Sequence, residues 1–175
     1  MRAKQFITEL FNAPYKFEWK EPTERGDYDA VVTAPGVNMS INFNKATTSN
    51  DYFEDKVYSV EFRRNNSVEL TGDGDSERIM ATALYAIRQF LEKVDPYQVY
   101  FTASYKVEDE DGNDEVNPSR AKLYSRMVKR YVAGTQYYAR EYDIEKNNEI
   151  QFVLTYNGQI IAGQKGPRHV DESVG

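Results

Sequence analysis

Apolar residues recur at two different periods along this chain, and the change of period divides it. In the first part they alternate with polar ones. Tyr15, Phe17 and Trp19 interleave with Lys16, Glu18 and Lys20, which is the period-two pattern of a half-buried strand. Residues 28–33 form a second run of this kind, and Val37, Met39, Ile41 and Phe43 a third. Between these two runs, Ala34-Pro35-Gly36 has the composition of a tight turn. Residues 57–62 predict a fourth strand and residues 63–66 a turn. Residues 67–70 then return as its hairpin partner, with Asn65 and Asn66 supplying the positive φ angles a short hairpin needs. Ahead of all this, Phe6, Ile7, Leu10 and Phe11 stand at helical spacing until Asn12-Ala13-Pro14, since the residue before a proline avoids the helical region. The expectation is a short helix followed by a five-strand antiparallel meander.

After Thr71-Gly72-Asp73-Gly74-Asp75 the period becomes helical. Ile79, Met80, Ala83, Leu84, Ile87, Phe90, Leu91 and Val94 line one face, with Asp75 or Ser76 as the N-cap and Asp95-Pro96 as the stop. Residues 99–103 are a short apolar run, expected to be a strand buried on both faces. A charged loop follows. Pro118 then opens a second helix carrying Leu123, Tyr124, Met127, Val128 and Tyr131, and residues 150–156 read as the last strand. Beyond Asn157 the chain is polar and aperiodic. The pattern predicts one α+β domain over residues 1–156, with a mostly antiparallel sheet whose N-terminal meander is followed by a β-α-β-α-β core, and a flexible tail over 157–175.

Composition narrows the function classes. Hydrophobic residues make up 40% of the 175, enough for one sizeable core. Twenty-eight acidic against 22 basic residues give a net charge of −6, which disfavours a dedicated nucleic-acid binder. The absence of cysteine removes disulfides and thiolate chemistry. His169 is the only histidine and lies in the tail, so histidine-based catalysis and metal binding have little to work with. Asp109, Asp111 and Asn113 do not complete a calcium loop, because the glycine comes one residue early and no glutamate closes it. No metal is expected. No apolar run approaches the ~18 residues of a membrane span, and a cytoplasmic protein is the expectation.

A glycine turn that opens a helix makes an anion site, because free N–H groups and the helix dipole point at the ligand. Residues 69–74, Glu69-Leu70-Thr71-Gly72-Asp73-Gly74, resemble the pyrophosphate-cradling loop of the GNAT superfamily of acyl-CoA N-acyltransferases, with Glu69 where that family carries arginine or glutamine. The resemblance continues in Asn117-Pro118-Ser119-Arg120-Ala121-Lys122-Leu123-Tyr124, which is similar to the family's Asn-x-x-Ala-x-x-Leu-Tyr motif, with Arg120 in place of the alanine. It implies a GNAT-like fold over about residues 57–156. It further implies that Gly72, Gly74, Ser76, Asn117 and Arg120 would hold acetyl-CoA, and that Tyr124 would protonate the departing thiolate. Residues 57–131, through Ser119-Arg120-x-x-Leu123-Tyr124-x-Arg126, are also similar to small proteins of tailed bacteriophages.

Plainer readings stand beside these. Tyr124 also fits a core tyrosine with its hydroxyl at the surface. Six of the eight residues 108–115 are acidic, Glu108, Asp109, Glu110 and Asp111 among them, whereas Arg120, Lys122, Arg126, Lys129 and Arg130 follow without an acid. These read as a charged hairpin tip beside a solvated helix face, or as partner-binding surfaces. Tyr137, Tyr138 and Tyr142 could form a recognition patch or the packed side of a helix end or strand. The leading expectation is a non-catalytic accessory or structural protein of a phage, in the host cytoplasm or the virion, binding a protein partner and no cofactor. The alternatives are an active acetyl-CoA-dependent N-acyltransferase and an acidic inhibitor of a host nucleic-acid enzyme.

Overall fold

A computed structural model describes residues 13–46, 56–64, 76–108, 111, 113–116 and 118–157. Strands β1 (Phe17–Trp19), β2 (Tyr28–Val32), β3 (Met39–Lys45) and β4 (Val57–Arg64) run antiparallel in chain order. Helix α1 (Ser76–Val94) then crosses to β5 (Gln98–Ser104), which lies parallel to β4. A small hairpin, β6 (Lys106–Glu108) with β7 (Asp114–Val116), precedes helix α2 (Pro118–Val132). Strands β8 (Tyr137–Ile144) and β9 (Glu149–Tyr156) close the chain, and β9 inserts between β5 and β8, antiparallel to both. The seven-strand order is β1-β2-β3-β4-β5-β9-β8. This is the expected α+β class with its antiparallel meander, and β5 is an interior strand.

Strand alternation decides which face is dry. Ile41 pairs with Ala30 and Phe62, Phe43 with Val60, Phe101 with Phe152, and Val99 with Leu154, and all of these side chains are buried. The residues between them (Ser40, Asn42, Ser59, Glu61) are polar and half-exposed. Only one face therefore needs helical cover, and α1 supplies most of it. Its buried positions include Ile79, Met80, Ala83, Leu84, Ile87, Phe90 and Leu91, the stripe that the spacing predicted. Glu77 in its first turn and Lys93 in its last complement the helix dipole.

Phe90 is the centre of the contact. Its ring stacks on Phe43 at 4.2 Å and meets Tyr58 at 4.9 Å, Tyr28 at 5.3 Å and Trp19 at 6.3 Å. Four strands thus touch one helical side chain. The Trp19 indole N–H also donates to Gln89 Oε1 at 2.9 Å. Towards the other end of α1, Thr82 accepts the Tyr15 amide at 2.9 Å and donates to the Arg78 carbonyl at 2.7 Å, which fastens the approach to β1.

Four details depart from the sequence reading. Strand β5, expected to be buried on both faces, buries only the side carrying Val99, Phe101 and Ala103 and exposes Thr102 and Ser104, because helices cover one face of the sheet alone. Arg63 and Arg64, expected in a turn, continue β4 opposite Ser40 and Met39. The charged loop contains the β6–β7 hairpin. Residues 137–144 form a full strand that the apolar pattern does not announce, because its core-side positions Glu141 and Asp143 are polar. The helix expected over residues 3–11, the strand over 67–70 and the tail beyond Asn157 lie outside the described residues. The turn at Ala34-Pro35-Gly36 is as expected: Val37 donates to the Ala34 carbonyl at 3.1 Å and Gly36 takes φ +74°, the type II arrangement that needs glycine third.

Truncating the aromatic hub should cost far more than an average core change. Phe90→Ala is expected to lower unfolding free energy by about 3–5 kcal/mol, read from urea denaturation. A loss under about 1 kcal/mol would show that α1 is not held there.

Candidate functional site

A parallel pair needs evenly spaced bonds along its length, and here they stop early. β4 and β5 pair only through Val57↔Gln98, Tyr58↔Val99 and Ser59↔Tyr100, although β4 runs on to Arg64 and β5 to Ser104. Gln98 donates to the Lys56 carbonyl at 3.2 Å, while the Val57 carbonyl accepts from Ala46 on the other side. Alternation from these bonds turns the peptide groups of Phe62 towards β5 and those of Thr102 and Ser104 towards β4. Among the described residues the ladder joins none of them. The side chains beneath stay packed: Phe62 and Phe101 meet edge to face at 5.6 Å, and Phe101 stacks on Phe152 at 5.2 Å. The parallel ladder thus ends early above an aromatic layer, and this unpaired stretch of the two strands is the β4–β5 opening. It lies at the carboxyl ends of parallel strands, where open sheets place their ligands.

The sequence-predicted residues Arg120 and Tyr124 come together at this end of the molecule. Both lie on α2, one turn apart. Arg120 Nε donates to the Tyr124 hydroxyl, and Arg120 Nη1 donates to the Lys106 carbonyl at 3.0 Å. One guanidinium thus ties the first turn of α2 to the root of the β6–β7 hairpin. Tyr124 is only 1% exposed. Burial pushes its hydroxyl pKa up, Arg120 opposes through charge and hydrogen bond, and Glu77 adds to the rise. Glu77 belongs to the first turn of α1, so the beginnings of both helices act on one phenol. Burial prevails, and Tyr124 is held neutral.

The remaining expected residues are scattered. Ser76 is the first residue of α1. Gly72, Gly74, Asn117, Asp109 and Glu110 lie outside the described residues. Glu108 ends β6, and Asp111 is exposed at the hairpin turn. Arg126 is exposed and donates to the Lys122 carbonyl of its own helix at 3.4 Å. Lys129 and Arg130 are in the last turn of α2, roughly 14–15 Å along the axis from Arg120 at the usual helical rise. The acidic hairpin and these two cations therefore occupy opposite ends of the helix. Lys129 instead borders a depression of about 250 Å³ with Val132, Gly134, Thr135, Tyr137 and Ala139, away from the opening.

Tyr137 holds the other end of α1. Its hydroxyl donates to the Pro96 carbonyl and lies 3.3 Å from Asp95 Oδ1, at a residue with φ +51°. Burial, and then the Asp95 charge, push its pKa up. Tyr138 and Tyr142 point to the opposite face of the sheet, given the pairing of Tyr137 with Tyr156 and of Tyr138 with Thr155. The three tyrosines form no single patch. Sequence reasoning missed the peptide groups of Phe62 and Thr102, and no residue type could have signalled them. Among the described residues, no group of acidic or histidine side chains could hold a metal, and no helix is long and apolar enough to cross a membrane. The chain matches no family model and no curated protein sequence.

Tyr124→Phe should destabilise by about 1–3 kcal/mol, because it strips a buried charged donor of its acceptor. The raised pKa carries a pH sign. Above pH 10.0, the ordinary value, the unfolded chain releases the phenolic proton while the folded chain retains it, so stability falls as pH rises. Melting curves across the alkaline range should show this decline, and Tyr124→Phe should make it shallower.

Proposed function

We propose that this is a non-catalytic binding domain of GNAT-like architecture, an accessory or structural protein of a tailed bacteriophage. Its β4–β5 opening takes up an extended segment of a protein partner. The observation that carries this reading is the ladder that ends after Ser59↔Tyr100 while both strands continue. Main-chain groups turned into such a gap favour strand addition, in which backbone bonds give affinity and side chains give selectivity. The GNAT-like part rests on a glycine turn in the sequence directly before α1, a single parallel step that opens at its carboxyl end, and α2 with Tyr124 turned into the core.

Acyl transfer is the second reading, favoured by a neutral phenol influenced by both helix beginnings. A thiolate leaving group would have to reach the Tyr124 hydroxyl, however, and that group is buried and engaged by Arg120. Glu69, Asp73 and Asp75 around the glycine turn also repel a pyrophosphate.

Two measurements separate the readings. Acetyl-CoA should leave the melting temperature unchanged. Protection that Gly74→Glu abolishes would overturn the binding-only function. Affinity capture from phage-infected or host lysate should yield a saturable partner, and Thr102→Pro, which removes an N–H turned into the gap, should release it. Capture indifferent to that change would place the contact elsewhere.

A further inference from the structure

The geometry points to a second copy of this chain as the partner of strand β8, the two copies joining their sheets edge to edge across a two-fold axis at Ala139. β8 is the last strand of the sheet, and among the described residues no strand pairs with its outer side. The opposite edge, β1, has three residues, whereas β8 has eight. A long edge invites another strand, because its outward N–H and C=O groups have no ladder partner. The Asn157 amide donates to the Gln136 carbonyl at 2.7 Å, so the even-numbered residues of β8 turn their peptide groups to β9. Tyr137, Ala139, Glu141 and Asp143 turn theirs outward. Of these, the Tyr137 amide already donates to Thr135 Oγ1 at 3.3 Å, which leaves Ala139 and Glu141 at the heart of the pairing.

Side chains choose the register. An antiparallel copy that matches faces puts the axis on a residue, and charge separates the registers that overlap more than half of the strand. Centred on Arg140, the pairing opposes two guanidiniums; centred on Glu141, two carboxylates; centred on Tyr142, it sets Glu141 against Asp143. Like charges directly opposite destabilise. Centred on Ala139, it opposes two methyl groups and sets Arg140 against Tyr138 of the second copy. Arg140 already lies over its own Tyr138 ring at 5.4 Å, and the pairing brings it a second ring. On the helix side, Glu141 of the second copy comes opposite Tyr137. Tyr137 and Ala139 border the depression of about 250 Å³ at the end of α2, together with Lys129. Glu141 and Lys129 are both exposed, so an acid enters beside a cation, and two-fold symmetry repeats the match. β9 and β5 stand between this edge and β4, so the pairing does not use the β4–β5 opening.

Analytical ultracentrifugation of the full chain at micromolar concentration should show a dimer. Lys129→Glu and Glu141→Lys should each weaken it about tenfold or more, since each sets like charges together twice. An equal mixture of the two variants should recover it as a heterodimer, because both pairs are then of unlike charge. The chain has no cysteine, so an introduced one reports the axis. Ala139→Cys should crosslink to its counterpart on mild oxidation, as Cα atoms of a bonded antiparallel pair stand about 5.5 Å apart, within disulfide range. Arg140→Cys, which faces residue 138, should not. A monomer at every concentration would overturn the proposal, and so would a dimer indifferent to both charge reversals. Crosslinking of Arg140→Cys in preference to Ala139→Cys would overturn the axis at Ala139.

Discussion

A parallel step inside an otherwise antiparallel sheet cannot be closed by a short turn, so the chain between β4 and β5 has to cross the sheet and come back. Helix α1 is that crossing, and its anchorage governs the rest. Phe90 reaches rings from β1, β2, β3 and β4, which locks the helix to the meander. The helix in turn sets where β5 begins: Tyr137 grips the Asp95-Pro96 stop, and the Tyr97 amide bonds the Lys56 carbonyl at 2.8 Å. The two parallel strands are thus aligned at their amino ends.

Nothing comparable draws their carboxyl ends together. Beyond Ser59 and Tyr100, β4 stays bonded to β3 as far as Arg64, and β5 stays bonded to β9 as far as Ser104. Each strand follows its own antiparallel partner, and sheet twist separates them. Phe62 and Phe101 bridge the split on the core side, so the hydrophobic layer remains continuous while the backbone layer parts. Such an arrangement keeps the aromatic layer packed although the parallel ladder has ended. Arg120 contributes from the far wall, where it joins α2 to the hairpin root and fixes Tyr124.

Much of this was legible from residue pattern. Alternation placed β2, β3 and β4, apolar runs placed β5 and β9, and helical spacing placed α1 and α2, because a buried face repeats with the geometry of its element; the run at β5 misled only in suggesting burial on both faces. Strand β8 escaped notice: its core side ends in Glu141 and Asp143, which meet Ser125 and Tyr105 rather than an apolar layer. Arg63 and Arg64 resembled a turn because a strand end at an opening has no apolar demand. The juxtaposition of Arg120 with Tyr124 was half-visible, since residues four apart share a helix face. Its tie to Lys106 was not, because a carbonyl oxygen is the same in every residue.

By itself, the amino-acid sequence determined the class of the fold, the inward face of nearly every element, the lack of thiol chemistry and the acidic character of the segment after β5. Tertiary structure alone decided that β9 would lie between β5 and β8, that the β4–β5 ladder would end after Ser59 and Tyr100, and that the hairpin root would be tied to α2 and the β8–β9 turn. The reason is physical. Burial acts on side chains, which differ along the chain and leave a pattern, whereas strand order and ladder length are settled by backbone groups common to all residues and by the competition among partners distant in sequence.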